Sequence, residues 1–181
     1  MTTAIERRAS FEVRAAAGRR LQGIAAPFGK EARIGDFVET IRRGAFASSL
    51  KDGRDILAMV DHDATRVLAR TKSGTLQLRE RDDGLHFDIA LPETTAARDV
   101  LALAERGDLG GMSFGFRVRN GGESWQGKRR ELTDVELVEV SVISAFPAYS
   151  QTSVSARARM SEPTRLRLAR LFLETIGNVN A

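Results

Sequence analysis

Four side chains in this sequence have chemistry to offer, and they lie far apart along it. Ser113 stands in Gly110-Gly111-Met112-Ser113-Phe114-Gly115-Phe116. The glycines there let the backbone approach another molecule closely, and the aromatics alternate as a half-buried strand would. His62 and His86 are the two histidines, and Glu139 sits in the apolar run Val138-Glu139-Val140-Ser141-Val142-Ile143. A serine hydroxyl becomes a nucleophile when a base within hydrogen-bond reach takes its proton and a further group orients that base.

Of the two bases, His62 is the better placed. It follows the apolar run Ile56 to Val60 and lies between Asp61 and Asp63, at a strand end where a side chain can face a cleft. Its unperturbed pKa of about 6.5 suits proton transfer at neutral pH. His86 lies in Leu85-His86-Phe87-Asp88-Ile89, whose apolar residues take the core face and turn His86 outward. Glu139 shares a face with Ser141 and Ile143, opposite Val138, Val140 and Val142. It either faces solvent, as most strand glutamates do, or holds the His62 imidazole. Metal chemistry is set aside, because Asp61, His62 and Asp63 cannot all converge on one ion from a strand and no second histidine stands at ligand spacing. We expect no metal and no cofactor.

Gly111-Met112-Ser113-Phe114-Gly115 also fits the G-x-S-x-G nucleophile elbow, but that motif needs a strand before the serine and a helix after it. Here the order is reversed. Thr94 to Arg106 has helical periodicity, with Ala97, Val100, Leu101 and Ala104 on one face, a threonine cap and Gly107 as the stop. Taken alone, Ser113 reads equally as a small residue at a glycine-rich strand start.

The surrounding elements read mainly as short strands. Strands are expected at Ser10 to Arg14, Arg20 to Ala26, Asp36 to Ile41, Ile56 to Val60, Arg66 to Thr71, Thr75 to Arg79, Leu85 to Leu91, Arg130 to Thr133 and Val135 to Ser144. Lys72-Ser73-Gly74 and Asp82-Asp83-Gly84 read as hairpin turns, Gly44 to Leu50 as a short helix, and Asn120 to Gly127 as a loop holding Trp125. The expected fold is α+β and mainly β, an antiparallel β-barrel or sandwich with helices added. Residues 1–150 form the domain, 151–160 a polar linker and 161–181 a basic amphipathic helix in which Leu168, Phe172 and Ile176 recur every four residues.

With 28 basic and 24 acidic residues the net charge is +4, and its location matters. From Ser155 to Ala181 there are five arginines and two glutamates, so the tail carries +3 and the body only +1. A near-neutral body with one tryptophan offers neither a basic groove nor a row of stacking aromatics, so no nucleic-acid partner is expected. Cysteine is absent, which excludes disulfides and thiolate chemistry. No segment has the length and polarity of a membrane span or a signal peptide, and a soluble, cytoplasmic protein is expected.

Taken together, these residues resemble the prohead maturation proteases of tailed phages. The stretches that carry the resemblance are Gly23 to Phe28; Phe37-Val38-Glu39 with Gly44-Ala45-Phe46; Asp61-His62-Asp63; Gly111 to Phe116; and Leu137 to Val142 with Pro147-Ala148-Tyr149. They cover about residues 20 to 155 in order.

The resemblance implies a serine endopeptidase that cuts capsid or scaffold protein, and itself, inside the immature capsid in the host cytoplasm. It also implies a helix-surrounded β-barrel similar to the herpesvirus assembly proteases, with dimerisation by the same analogy. The family's histidine maps onto His62 and its serine onto Ser113. The herpesvirus enzymes use a second histidine as third member. Here Glu139 stands in the matching region, with His86 and Asp63 as substitutes, and backbone N–H groups near Gly110 and Gly111, or from another loop, are expected to bind the oxyanion. The tail helix would either pack on its own domain or, as the resemblance implies, dock the enzyme on capsid or scaffold and later be removed. The rival from another class is a non-catalytic capsid-associated scaffold or chaperone on the same barrel.

Overall fold

Apolar residues spaced by two run through most of the chain, and each run buries one face of a strand. The computed structural model of the chain describes residues 4–10 and 12–144. Phe146 to Tyr149, the expected linker and the expected tail helix lie outside the described residues.

In chain order the elements are β1 (Glu6–Ser10), β2 (Glu12–Ala16), β3 (Arg20–Pro27), β4 (Ala32–Ile34), β5 (Phe37–Ile41) and α1 (Ala47–Lys51). There follow β6 (Leu57–Val60), β7 (Asp63–Arg70), β8 (Leu76–Glu80), β9 (Gly84–Ala90) and α2 (Thr95–Arg106). The last are β10 (Gly111–Val118), β11 (Glu123–Gln126), β12 (Arg129–Leu132) and β13 (Val135–Ile143).

The strands form three open sheets, ordered β1-β10-β13-β6-β7, β2-β3-β9-β8 and β11-β12-β5-β4. The mainly β expectation holds, but among the described residues no sheet closes into a barrel. Closure would need the two edge strands of one sheet to pair. Instead the chain leaves the first sheet after Ser10 and joins the second at Glu12. Two pairings, β13 with β6 and β12 with β5, are parallel. Lys72-Ser73-Gly74 does not close a paired hairpin either, since β7 belongs to the first sheet and β8 to the second. Asp82-Asp83-Gly84 does join paired strands.

The core lies where the sheets face one another. Phe46, Phe114 and Phe116 are its largest members, with Phe46 edge-on to Phe114 at 5.7 Å and Phe116 stacked on Phe114 at 5.4 Å. Burying each such ring is worth roughly 1.5–3 kcal/mol. Helix α2 follows its sequence signals: Thr94 Oγ1 accepts from the Ala97 N–H, Ala97 and Val100 are buried, and Gly107 ends the helix at φ +76°. Glycine takes that left-handed turn without the steric cost a side chain would bring.

The first and third sheets are joined by charge. Arg8 pairs with Glu39 at 2.6 Å and with Glu6 at 2.8 Å, and Arg130 pairs with Glu6 at 2.7 Å, Glu39 at 2.9 Å and Glu123 at 2.6 Å. Glu39 is only 2% exposed and Arg130 7%. Burial alone would raise the Glu6 carboxyl, but hydrogen bonds and charge from Arg130 and Arg8 outweigh it and hold it below the usual range. This cluster fixes β1, and β1 is the strand that lies along β10.

Candidate active site

Strand β13 runs between the strand that carries Ser113 and the strand that ends before His62. It pairs antiparallel with β10, Ser113 opposite Ser141 and Gly115 opposite Glu139, and parallel with β6. Cross-strand partners share a face, so Ser113, Gly115, Glu139 and Ser141 lie together on the side turned away from Met112, Phe114, Val140 and Val142. Ser113 is 3% exposed, Glu139 4% and Ser141 fully buried. As a diagonal neighbour across the pair, the Ser113 backbone lies roughly 7–8 Å from that of Glu139.

His62 arrives from the other side. Val60 pairs with Asp63, so Asp61 and His62 form a two-residue hairpin loop with φ of +50° and +62°. Loops this tight favour glycine, asparagine or aspartate at positive φ, so Asp61 suits its place and the cost, up to about 1–2 kcal/mol, falls on His62. Such strain is tolerated where the surroundings fix it, often at functional sites. Here it projects the imidazole over β13, where His62 Nδ1 lies 2.7 Å from Glu139 Oε1.

Glu139 is held from several directions. Ser141 Oγ donates to Oε2 at 2.6 Å, and the Arg7 guanidinium of β1 stands 3.5 Å from Oε1. Burial pushes its pKa up, but the hydrogen bonds from His62 and Ser141, with the charge of Arg7, hold it below the usual carboxylate range. Glu139 is therefore ionised at neutral pH and can only accept. The His62 Nδ1 must carry the proton, which leaves Nε2 of the neutral ring as the atom free to take one.

Gly115 makes room for this arrangement. A Cβ there would sit 2.6 Å from Glu139 Oε1 and 3.1 Å from Cδ and Cγ, so the carboxylate occupies the space of the missing side chain.

Among the described residues Ser113 Oγ makes no hydrogen bond, while its strand position brings it to the level of Ser141 beside the His62–Glu139 pair. The Gly110 N–H donates to the Ile143 carbonyl at 2.8 Å and is thereby committed, whereas Gly111 takes a φ of +130° at the strand start. The two substitutes for the third member are engaged elsewhere. His86 bonds Asp83 at 2.7 Å on the second sheet, and Asp63 accepts from the N–H and Oγ1 of Thr65. Among the described residues no group of three or more metal-ligating side chains converges.

Two surface clefts lie away from these residues. One of about 440 Å³ is bordered by Leu50, Arg54 and Leu78, and one of about 120 Å³ by Arg14, Arg79 and His86. Neither touches Ser113 or His62.

The sequence pointed to His62, Ser113 and Glu139. It did not single out Gly115, Ser141 or Arg7 as supports of the carboxylate. Ser141 carried a signal, since it shares the face of Glu139. Arg7 carried none, because β1 lacks apolar periodicity.

The sequence matches the family described as Caudovirus prohead serine protease over residues 5–167, a span that passes through the expected linker and into the tail. No curated protein and no solved structure matches the chain.

Proposed function

The chain belongs to the caudovirus prohead serine protease family and is a serine protease of phage capsid maturation, and we propose that Ser113 is its nucleophile, His62 its general base and Glu139 the acid that orients the base. The observation that carries this reading is the 2.7 Å contact of His62 Nδ1 with an ionised Glu139, in a sheet whose register brings Ser113 alongside.

In the first step Nε2 of His62 takes the hydroxyl proton as Ser113 Oγ bonds to the scissile carbonyl carbon, and the carbonyl electron pair moves onto oxygen. Glu139 stabilises the imidazolium that forms and keeps its ring oriented. The oxyanion is received by the N–H of Gly111, with Gly110 adding a donor only when its bond to Ile143 opens. Each such donor is typically worth about 3 kcal/mol. The imidazolium then gives its proton to the departing amine, and water repeats the sequence on the acyl-enzyme to regenerate Ser113.

The substrate is the capsid protein or its scaffolding segment, and in addition the chain itself, cut inside the immature capsid in the host cytoplasm. Residues 161–181, outside the described part, act as the docking segment. Likeness to the herpesvirus assembly proteases and a homodimer belong to the same proposal. The open sheets are where chain and analogy diverge.

The test uses full-length protein coexpressed with the capsid protein of its own particle, and the same protein treated with a fluorophosphonate. S113A and H62A should both abolish processing, and S113A should abolish labelling. Normal processing by either variant would refute the assignment.

A further inference from the structure

We infer that Asp61 is a positioning residue for His62, an inference that rests on the proposed catalytic role of that histidine. The imidazole is carried on a two-residue loop in which both residues have positive φ. The ladder below that loop is a poor support, because the β6–β7 register is irregular between Ala58 and Met59 and again between Met59 and Val60. A strained loop on an interrupted ladder needs another anchor to hold one orientation.

Asp61 supplies the anchor at three points. Its N–H donates to the Val142 carbonyl at 2.9 Å. Its Oδ1 accepts from the Ser144 N–H and its Oδ2 from the Ser144 Oγ, both at 2.8 Å. Val142 lies near the end of β13, the strand that also carries Glu139 and Ser141, and Ser144 follows its last residue. The loop bearing the base is thus tied directly to the strand bearing the acid, and the pair is fixed within one frame. Arg66 approaches the outer oxygen of Asp61 at 3.3 Å from the exposed side. Asp61 does not touch the reacting atoms; it acts through the direction of the His62 ring.

The test measures phosphonylation of the full chain by a fluorophosphonate, separating the maximal rate kinact from the half-saturating concentration KI. D61A should lower kinact about 10- to 100-fold, the loss expected when a catalytic group is displaced by about 1 Å. KI should stay within about twofold. D61N keeps an oxygen for the Ser144 N–H and tolerates positive φ, so it should stay within about threefold of the unaltered chain. In an H62A background D61A should remove nothing further.

A D61A chain with unaltered kinact, beside an inactive H62A chain, would overturn the positioning role alone. So would D61N as impaired as D61A, or an added loss in the H62A background. An H62A chain that labels at the unaltered rate would instead overturn the catalytic reading on which this inference rests. If D61A fails to fold, S144A decides: it removes one of the two side-chain anchors and should lower kinact a few-fold, and an unchanged kinact would sink the proposal.

Discussion

Replacing Gly115 with alanine should silence the enzyme while leaving the fold intact. The added Cβ would stand 2.6 Å from Glu139 Oε1, and ordinary contact begins at 3.4 Å, so the carboxylate must retreat by about 0.8 Å. The retreat falls on the oxygen that holds His62 Nδ1 at 2.7 Å, and moving it away stretches that bond to the limit at which a hydrogen bond is lost. A displacement of about 1 Å in a catalytic constellation costs on the order of 100-fold in rate, or about 2.7 kcal/mol of barrier. Other glycines set the contrast. A Cβ at Gly23 or Gly122 would meet backbone oxygen at 1.8 or 2.0 Å, where nothing can give, and those substitutions should fail at folding. At Gly115 the obstacle is the end of a side chain. The assay is fluorophosphonate labelling together with a thermal melt of G115A, E139A and the double variant. G115A should label about 100-fold more slowly with a melting temperature close to that of the unaltered chain, and it should cost nothing more once Glu139 is alanine. Labelling at the unaltered rate would refute the claim that the glycine exists to seat the carboxylate.

R130A should destabilise the chain by about 3 kcal/mol, the low end for breaking a buried ion pair, because Arg8 still pairs with Glu39. A melting point lowered by roughly 6–12 °C would agree. S141A removes a donor to an ionised carboxylate and should cost about 1.5–3 kcal/mol in urea unfolding. Glu6 and Glu139 both have folded pKa values depressed below the ordinary 4.5. Their contribution to stability is therefore complete above 4.5 and lost as pH falls through the lower folded values. Melting curves should be nearly flat from pH 7 to 5 and fall steeply below 4.5, and E6Q should fall less steeply.

Much of the site was legible because its residues break local patterns. A glutamate amid valines, a histidine after an apolar strand and a serine among glycines each contradict what a plain strand would carry. Most strands were legible through alternation, which reports which face is buried but not which strand is adjacent. The partition into three sheets therefore escaped, and the turn after Thr71 passed for a hairpin although it links two sheets. Strand β1 was read only at its end, because Glu6, Arg7 and Arg8 are held by ion pairs and have no apolar rhythm. Strand β11 was read as a loop for a similar reason. Most of it is exposed, and Trp125 earns its place by lying edge-on to Phe37 at 5.1 Å and under the Arg130 guanidinium. In β13 the register shifts opposite Gly115 and Phe116, which puts Leu137 rather than Val138 in the core. An irregularity of that kind resets alternation without marking the sequence.

The carboxylate strand is the last of the described strands to be synthesised, yet it sits between two that are made earlier. A growing polypeptide holds its serine and its imidazole on segments with nothing to join them until β13 slots into the gap. From Ser113 to the end of β13 at Ile143 is 30 residues, so at about 5–20 residues per second that interval is on the order of two to six seconds. On the proposed catalytic assignment, a chain that still lacks β13 has no Glu139 to orient His62, so cutting would await completion of the sheet.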